Sequence, residues 1–414
     1  VQIRGIDDTE WVPFDRVARI VFGQTPAPAD VDDRHRDLER ALLDLDRSLA
    51  AVDDDGTIAG STSSYAFDLT VPGGGSIPAA GVTNVGVLPS HRRRGVLRRL
   101  MVRQLDDLAA SGDAVAILNA SEAPIYGRFG YGAATRYAVW AMDPRRVELT
   151  AVPDGRTARI VDKQDAAPIV APIYEACRRL RPGQVGRPDV WWEQMFGDTE
   201  TWKAGGKLLV VVVDPADGGR ADTDAGGYAT YTIDHSQGWK MALVVRELFA
   251  ATPDVEAVLW QYLTGVDLMH EVRAEVPVDL LLPLQITDQR QVHTMDLRDY
   301  LWLRVLDAPS ALAARRWSDD IDVVIEVVDD LRPEGAASGR FSVEGGIDGS
   351  SCSRTDASPD VVMGVAELGA LYLGDVRPSA LAAVGRLDER TSGAVAMLDR
   401  AVPWSPAPFC ATRF

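Results

Sequence analysis

The stretch NVGVLPSHRRRGVLRRL, residues 84–100, restricts the fold of this chain more than any other. It reads as a strand ending at Val87, a basic loop, and a helix opened by Gly95, in which Leu97, Leu100, Met101, Leu105 and Leu108 recur at helical spacing. Such a unit presents backbone N–H groups at a helix N-terminus, where the dipole also favours negative charge. Gly95 lets phosphates approach the backbone, and Arg92 and Arg93 can add charge-assisted hydrogen bonds. The loop lacks both the G-x-x-x-x-G-K-[ST] of nucleotide-hydrolysing P-loops and the three glycines of a dinucleotide fingerprint. It therefore suits a pyrophosphate without a transferable γ-phosphate. Arg98, Arg99 and Arg103 fall between the apolar positions and read as a solvated helix face.

This basic island stands in an acidic chain. Six arginines and no acid lie between Gly81 and Leu105, although the 414 residues carry a formal net charge of −18. Net acidity disfavours a nucleic-acid partner, because phosphate binding rewards widespread positive charge. Cationic partners are favoured instead. Residues 30–55 hold ten acids against four arginines and read either as a solvated helix face with a DDDG turn or as the wall of a cation-accepting mouth. No apolar run approaches the ~20 residues of a membrane span and no basic segment followed by an apolar one opens the sequence, so a cytoplasmic protein with no membrane span is expected. Cys177, Cys352 and Cys410 are too widely spaced for a disulfide framework or a CxxC site and read as buried thiols. His35, His91, His235, His270 and His293 lack zinc-ligand spacing, so no metal is expected.

Three blocks follow from the hydrophobic pattern. In block 1-150, helices near 11–22 and 36–44 precede a meander of strands at 47–53, 58–71 and 79–89, then the helix opened by Gly95 and the buried strand AVAILNAS. Block 151-305 repeats this grammar without the basic glycine loop, so it is not expected to bind the same ligand. Block 306-414 alternates strands such as DIDVVIEVVDD and GRFSVEGG with the short helices VAELGALYLGD and PSALAAVG.

Arg92-Arg93-Arg94-Gly95-Val96-Leu97, after Val85-Gly86-Val87, resembles the Q/R-x-x-G-x-G/A signature of the Gcn5-related N-acetyltransferases (GNAT), whose loop holds the pyrophosphate of acetyl-CoA. Leu97 stands where a small residue is usual. IYGRFGY, residues 125–131, resembles the Y-x-x-x-G-[F/Y] element of the same superfamily. The pair HRRRGVLRRLM and SEAPIYGRFGYG, in a chain of this length ending in Phe, resembles the enhanced-intracellular-survival (Eis) family of actinobacterial acetyltransferases. The motifs sit within 84–135, and the three-block layout and terminal Phe extend the similarity over the whole chain.

That resemblance implies an α+β protein: an N-terminal catalytic GNAT domain (1-150), a degenerate second GNAT-like domain (151-305) and a C-terminal domain like sterol carrier proteins (306-414), assembled as a homohexamer. It implies acetyl-CoA as co-substrate, held by Val85, Gly86, Val87, Arg92, Arg93, Arg94, Gly95, Val96, Leu97, Arg98, Ser121 and Glu122. Spacing alone suits Tyr126 as a packing aromatic beside Phe129 and Tyr131; the resemblance makes it the general acid that protonates the coenzyme A sulfur. The family further implies that the α-carboxylate of Phe414 is the general base. An unperturbed α-carboxyl has a pKa of ~3.3–3.7, so burial or position must compensate, and Arg413 beside it acts in the opposite direction. A C-terminus ordinarily frays, but PWSPAPFCATRF is apolar and ends in an aromatic, and reads as tied down.

The implied acceptors are amines of aminoglycosides, polyamines or lysine side chains. Asp30, Asp32, Asp33 and Asp37 are candidates for an acidic wall, and Phe67, Trp11 or Phe22 for its apolar side. The competing reading is a non-enzymatic lipid- or CoA-binding protein that uses the third block.

Overall fold

The computed structural model describes residues 1–23, 33–153, 155–197, 208–214 and 226–414. After β1 (Gln2–Gly5), Trp11, Phe14, Val17 and Ala18 bury one face of α1 (Trp11–Val21), and α2 (Asp33–Leu42) follows. The predicted meander is β2 (Ser48–Val52), β3 (Ile58–Thr70) and β4 (Ser76–Val87). α3 (Val96–Ala110) buries Val96, Leu100, Met101, Leu105 and Leu108, and leads into β5 (Val115–Asn119), which runs parallel to β4. α4 (Ala123–Tyr126) and the two-residue β6 (Gly132–Ala133) complete this stretch.

The second unit begins with β7 (Arg136–Met142), β8 (Ala158–Val161), α5 (Lys163–Arg178) and α6 (Asp189–Phe196). It continues through β9 (Leu209–Val213), β10 (Gly227–Asp234), β11 (Met241–Ala250), α7 (Pro253–Thr264), β12 (Met269–Pro277), α8 (Leu282–Gln285) and β13 (His293–Asp299). Its sheet runs β13-β7-β12-β11-β10-β9-β8, with α7 packed in one core and α5 and α6 in another. Here β11 and β12 pair in parallel around α7, as β4 and β5 do around α3. Only Ala251 and Thr252 join β11 to α7, however, and the Thr252 side chain already accepts a hydrogen bond from Val255 N at 3.3 Å. The crossover is repeated; the anion loop is not.

β14 (Leu301–Val305) and α9 (Ala308–Ala314) lead into a five-stranded sheet of β15 (Ile321–Val328), β16 (Gly339–Gly346), β17 (Gly349–Arg354), β18 (Val361–Gly364) and, after α10 (Val365–Leu371) and α11 (Pro378–Ala383), β19 (Leu387–Glu389). Its order is β17-β16-β15-β18-β19, and α12 (Ala394–Ala401) follows.

The sheets do not follow the sequence blocks. β7, from the first block, joins the second sheet, whereas β14, from the middle block, lies in the first sheet between β5 and β6, whose order is β1-β2-β3-β4-β5-β14-β6. The two compact units are residues 1–135 with 300–405 and 412–414, and residues 136–299 with 406–411. The run LWLRV suits β14 to a central position, since a strand covered on both faces need not alternate, and it removes the open edge of β5. Cys177 and Cys410 are buried as expected, while Cys352 is half-buried. No described helix is long and apolar enough to cross a membrane.

Within the first unit α10 packs against β14 and β6 at backbone distance. A Cβ on Gly132 would lie 2.0 Å from Ala366 O, and one on Gly369 would lie 2.1 Å from Leu303 O. Gly132→Ala is therefore expected to lower the unfolding free energy by about 1–3 kcal/mol or more. Gly5→Ala, where a Cβ meets nothing within 4 Å, is expected to change it little. Denaturant unfolding of the two variants checks this; equal midpoints would contradict the packing.

Candidate active site

The site begins where two parallel strands part. β4 and β5 pair at Ala79↔Val115, Ala80↔Ala116 and Gly81↔Ile117, and no further. Beyond Gly81, β4 keeps only β3 as a partner among the described residues, with a register break opposite Ser61 and Ser63 and with Asn84 at φ 55°. A bulge of this kind bends a strand, and Asn tolerates the left-handed conformation better than most residues. Ser61 Oγ donates to Asn84 O at 2.8 Å and fixes the bend. Among the described residues, the side of 82–87 that faces away from β3 is thus left without a strand partner.

The resulting cleft, of about 280 Å³, is lined by Phe22, Val82, Thr83, Asn84, Val85, Asn119, Ser121, Tyr126, Tyr300, Arg413 and Phe414. Val85 lines it as expected. Gly86 and Val87 are buried further along, Gly86 so close to Val21 that a Cβ would sit 2.6 Å from its Cγ1.

The chain then reaches the basic loop. Leu88 N donates to Ala59 O at 2.8 Å, and a single 3₁₀ turn (Pro89–His91) follows. His91 Nε2 lies 2.8 Å from Asp53 Oδ2 and its Nδ1 lies 2.9 Å from Ser90 Oγ, which ties the loop to the β2–β3 turn. Arg93 takes φ 62°, and Gly95, at φ 74°, is the N-cap of α3 without any side-chain capping bond. A Cβ on Gly95 would meet nothing within 4 Å, so there is room for a ligand close to this turn. Arg92, Arg93, Arg94 and Arg98 are exposed, while Val96 and Leu97 pack inward with Leu100. An unblocked helix N-terminus among arginines, reached from a strand with unpaired backbone, fits a pyrophosphate with an extended chain attached.

Tyr126 closes α4 and is only 6 % exposed. Burial, with help from the Glu122 carboxylate and against the Ser121 hydroxyl, pushes its pKa up to about 12. Ser121 lines the cleft, and Glu122 is the exposed N-cap residue of α4. Tyr131 is fully buried, edge-on to Tyr126 with ring centroids 6.1 Å apart, and packs rather than facing the cleft.

The C-terminus is tied down. Tyr300 Oη donates to Thr412 O at 3.0 Å, and the Arg413 guanidinium lies 6.0 Å from the Tyr300 ring centroid. The Phe414 ring packs at 5.1 Å on Phe67 and 6.3 Å on Tyr65. Gly81 makes this possible, because a Cβ there would be 2.4 Å from Phe67 Cε2 and 3.3 Å from Phe414 Cε2.

Phe67 therefore acts as a wall for Phe414, and Phe22 faces the cleft, whereas Trp11 belongs to the core with Phe14 and Val17. Asp30, Asp32 and the Asp33 side chain lie outside the described residues, and Asp37 is exposed on α2. Sequence reasoning missed Thr83, Asn84, Asn119 and Tyr300. An Asn before Val-Gly inside an otherwise apolar strand signals a bulge; Tyr300 carries no local signal, because it arrives with β14.

Residues 2–134 and 183–305 match two different families, each described as acetyltransferase (GNAT) domain, and residues 308–411 match the sterol carrier protein domain. An uncharacterised N-acetyltransferase of Streptomyces coelicolor is 39 % identical over 407 residues, 94 % of each chain. The N-acetyltransferase Eis of Mycobacterium tuberculosis is 36 % identical over 341 residues, 80 % of each chain. The crystal structure of Eis1 from Mycobacterium abscessus superposes with a TM-score of 0.86 at 34 % identity and full coverage of both chains. With two GNAT folds, a sterol-carrier-like domain and relatives of this closeness, the chain belongs to the Eis family of GNAT N-acetyltransferases.

Proposed function

We propose that this N-acetyltransferase moves the acetyl group of acetyl-CoA directly to a primary amine of a cationic substrate, with Tyr126 as general acid and the Phe414 α-carboxylate as general base. The observation that carries this reading is that one cleft, opened by the parting of β4 and β5, is lined by both Tyr126 and Phe414. Acetyl-CoA supplies an activated thioester, with its pyrophosphate on the N-terminus of α3 beside Arg92, Arg93 and Arg94. The unpaired backbone near Val85 offers a hydrogen bond to the thioester carbonyl as it gains negative charge. The Phe414 carboxylate accepts the proton that the attacking amine loses, through water, and Tyr126 gives its proton to the departing sulfur.

The raised pKa of Tyr126 has two consequences. It keeps the phenol protonated throughout the neutral range. It also makes full proton transfer uphill to a thiolate of ordinary basicity, near ~8.5 by comparison with cysteine. Burial disfavours the thiolate as well, and so narrows that gap.

A cationic acceptor, such as an aminoglycoside, a polyamine or a lysine side chain, accords with the net charge of −18. The homohexamer, the cytoplasmic location and the division of labour among 1-150, 151-305 and 306-414 belong to the same reading and rest on the family resemblance. Thiol release from acetyl-CoA with a panel of such amines tests it. Tyr126→Phe is expected to lower kcat by about 100-fold, with KM for acetyl-CoA within about twofold. Removing Phe414 is expected to lower kcat similarly; full activity in that chain would end the terminal-base reading. Because Tyr126 titrates near 12, kcat should show no fall from loss of the acid between about pH 8 and about pH 10.

The lipid-binding reading finds little room at one place in the core of the third block. The third sheet and its helices enclose a cavity of about 10 Å³ among Leu312, Ile325, Met363, Leu368 and Leu398, room for roughly one water. Arg315 is fully buried there, donating to Tyr372 O at 2.7 Å and Val402 O at 2.9 Å, carbonyls just past the ends of α10 and α12, with its guanidinium 4.0 Å from the Trp317 ring centroid. A fluorescent long-chain fatty acid is expected to show no saturable binding to the full chain, and stoichiometric binding would revive that alternative.

A further inference from the structure

The helix that ends at Tyr126 is too short to place it. α4 has four residues, and its N-cap Glu122 makes no capping bond, so the turn has no stability of its own. The hold comes from the residues that follow. Tyr131 N donates to Tyr126 O at 3.2 Å and Gly130 N to Gly127 O at 3.1 Å, while the Tyr131 ring meets the Tyr126 ring at 77°.

This turn closes over the guanidinium of Arg304. Arg304 belongs to β14, has no exposed surface, and donates through Nη1 to Phe129 O at 2.5 Å. Gly130 has φ +77°, and a Cβ there would lie 1.8 Å from Arg304 Nη1 and 2.7 Å from Val365 Cγ1. Only glycine fits. Through Nη2, Arg304 donates to the Asp329 carboxylate, just past β15; Asp329 also accepts from Leu331 N at 3.1 Å and Arg332 N at 3.2 Å. The backbone-tight seat of α10 against Gly132 and Leu303 braces the same place.

For stability alone a buried ion pair is a poor device, since desolvating both charges offsets their attraction and apolar side chains of similar volume serve as well. Its advantage is direction. A planar fork that joins one carbonyl to one carboxylate fixes both in space.

We propose that Arg304 and Asp329 are positioning residues for Tyr126: together they fix the turn that seats its hydroxyl in the cleft, which makes the sterol-carrier-like block part of the catalytic apparatus. The inference rests on the reading of Tyr126 as proton donor.

Steady-state thiol release by the full chain tests it, with acetyl-CoA and the amine of the panel that is turned over fastest. Arg304→Met combined with Asp329→Leu replaces the pair by apolar groups. This variant is expected to fold, to keep KM for acetyl-CoA within about twofold, and to lose about tenfold or more in kcat. On a Tyr126→Phe background the same double change should cost nothing further, because the pair acts only through that hydroxyl. Arg304→Lys, which keeps the charge but not the fork, should fall between the two. An unaltered kcat in the folded double variant overturns the inference, as does a loss that multiplies with that of Tyr126→Phe. Where the double variant fails to fold, Arg304→Lys is read in its place, and an unaltered kcat there is equally fatal. Full activity of Tyr126→Phe by itself refutes the proton-donor reading; an impaired Tyr126→Phe beside an unaltered Arg304 and Asp329 variant refutes the positioning role alone.

Discussion

The candidate active site depends on the point at which β4 and β5 stop pairing. Three parallel pairs end at Gly81↔Ile117, and the bulge at Asn84 carries the rest of β4 away along β3. A fully paired sheet would leave no backbone groups for a ligand and no space beside Tyr126. The parting provides both. It also separates the cleft, at Val82 to Val85, from the arginines and the N-terminus of α3 by a short length of strand. Gly81 lies at the last pair, where the absence of a side chain admits the Phe67 and Phe414 rings.

Much of this was legible in the sequence, and the legible part is local. The meander, the helix opened by Gly95, and the contrast between Leu100 or Met101 inside and Arg98 outside follow from periodicity and from the special conformation that Gly95 adopts at φ 74°. The expectation that the loop holds an anion follows from residue type and position alone. The middle unit's lack of that loop was likewise visible, and its physical form is a two-residue connection whose threonine already caps the helix. The family resemblance supplied what spacing did not, namely the roles read for Tyr126 and Phe414.

What stayed hidden is long-range. Nothing in LWLRV says that this strand will pair with β5 and β6 rather than with its sequence neighbours, so Tyr300 and Arg304 could not be placed beside residues of the first block. The buried pair of Arg304 with Asp329 was hidden for the same reason: each residue looks like surface charge until the strand is set in the sheet. Trp11 illustrates the converse. An aromatic in an amphipathic helix was a fair candidate for a substrate wall, but its face of α1 packs into the core, while Phe22, just beyond the helix, reaches the cleft.

We propose that strand parting, basic loop, Tyr126 and Phe414 serve a single reaction. A crystal structure of the full chain with coenzyme A tests that arrangement most directly. The pyrophosphate should rest on the first-turn N–H groups of α3, the pantetheine should run along residues 82–87, and the sulfur should lie within about 3–4 Å of Tyr126 Oη. Coenzyme A bound elsewhere, or with its sulfur turned away from Tyr126 and Phe414, would contradict the account.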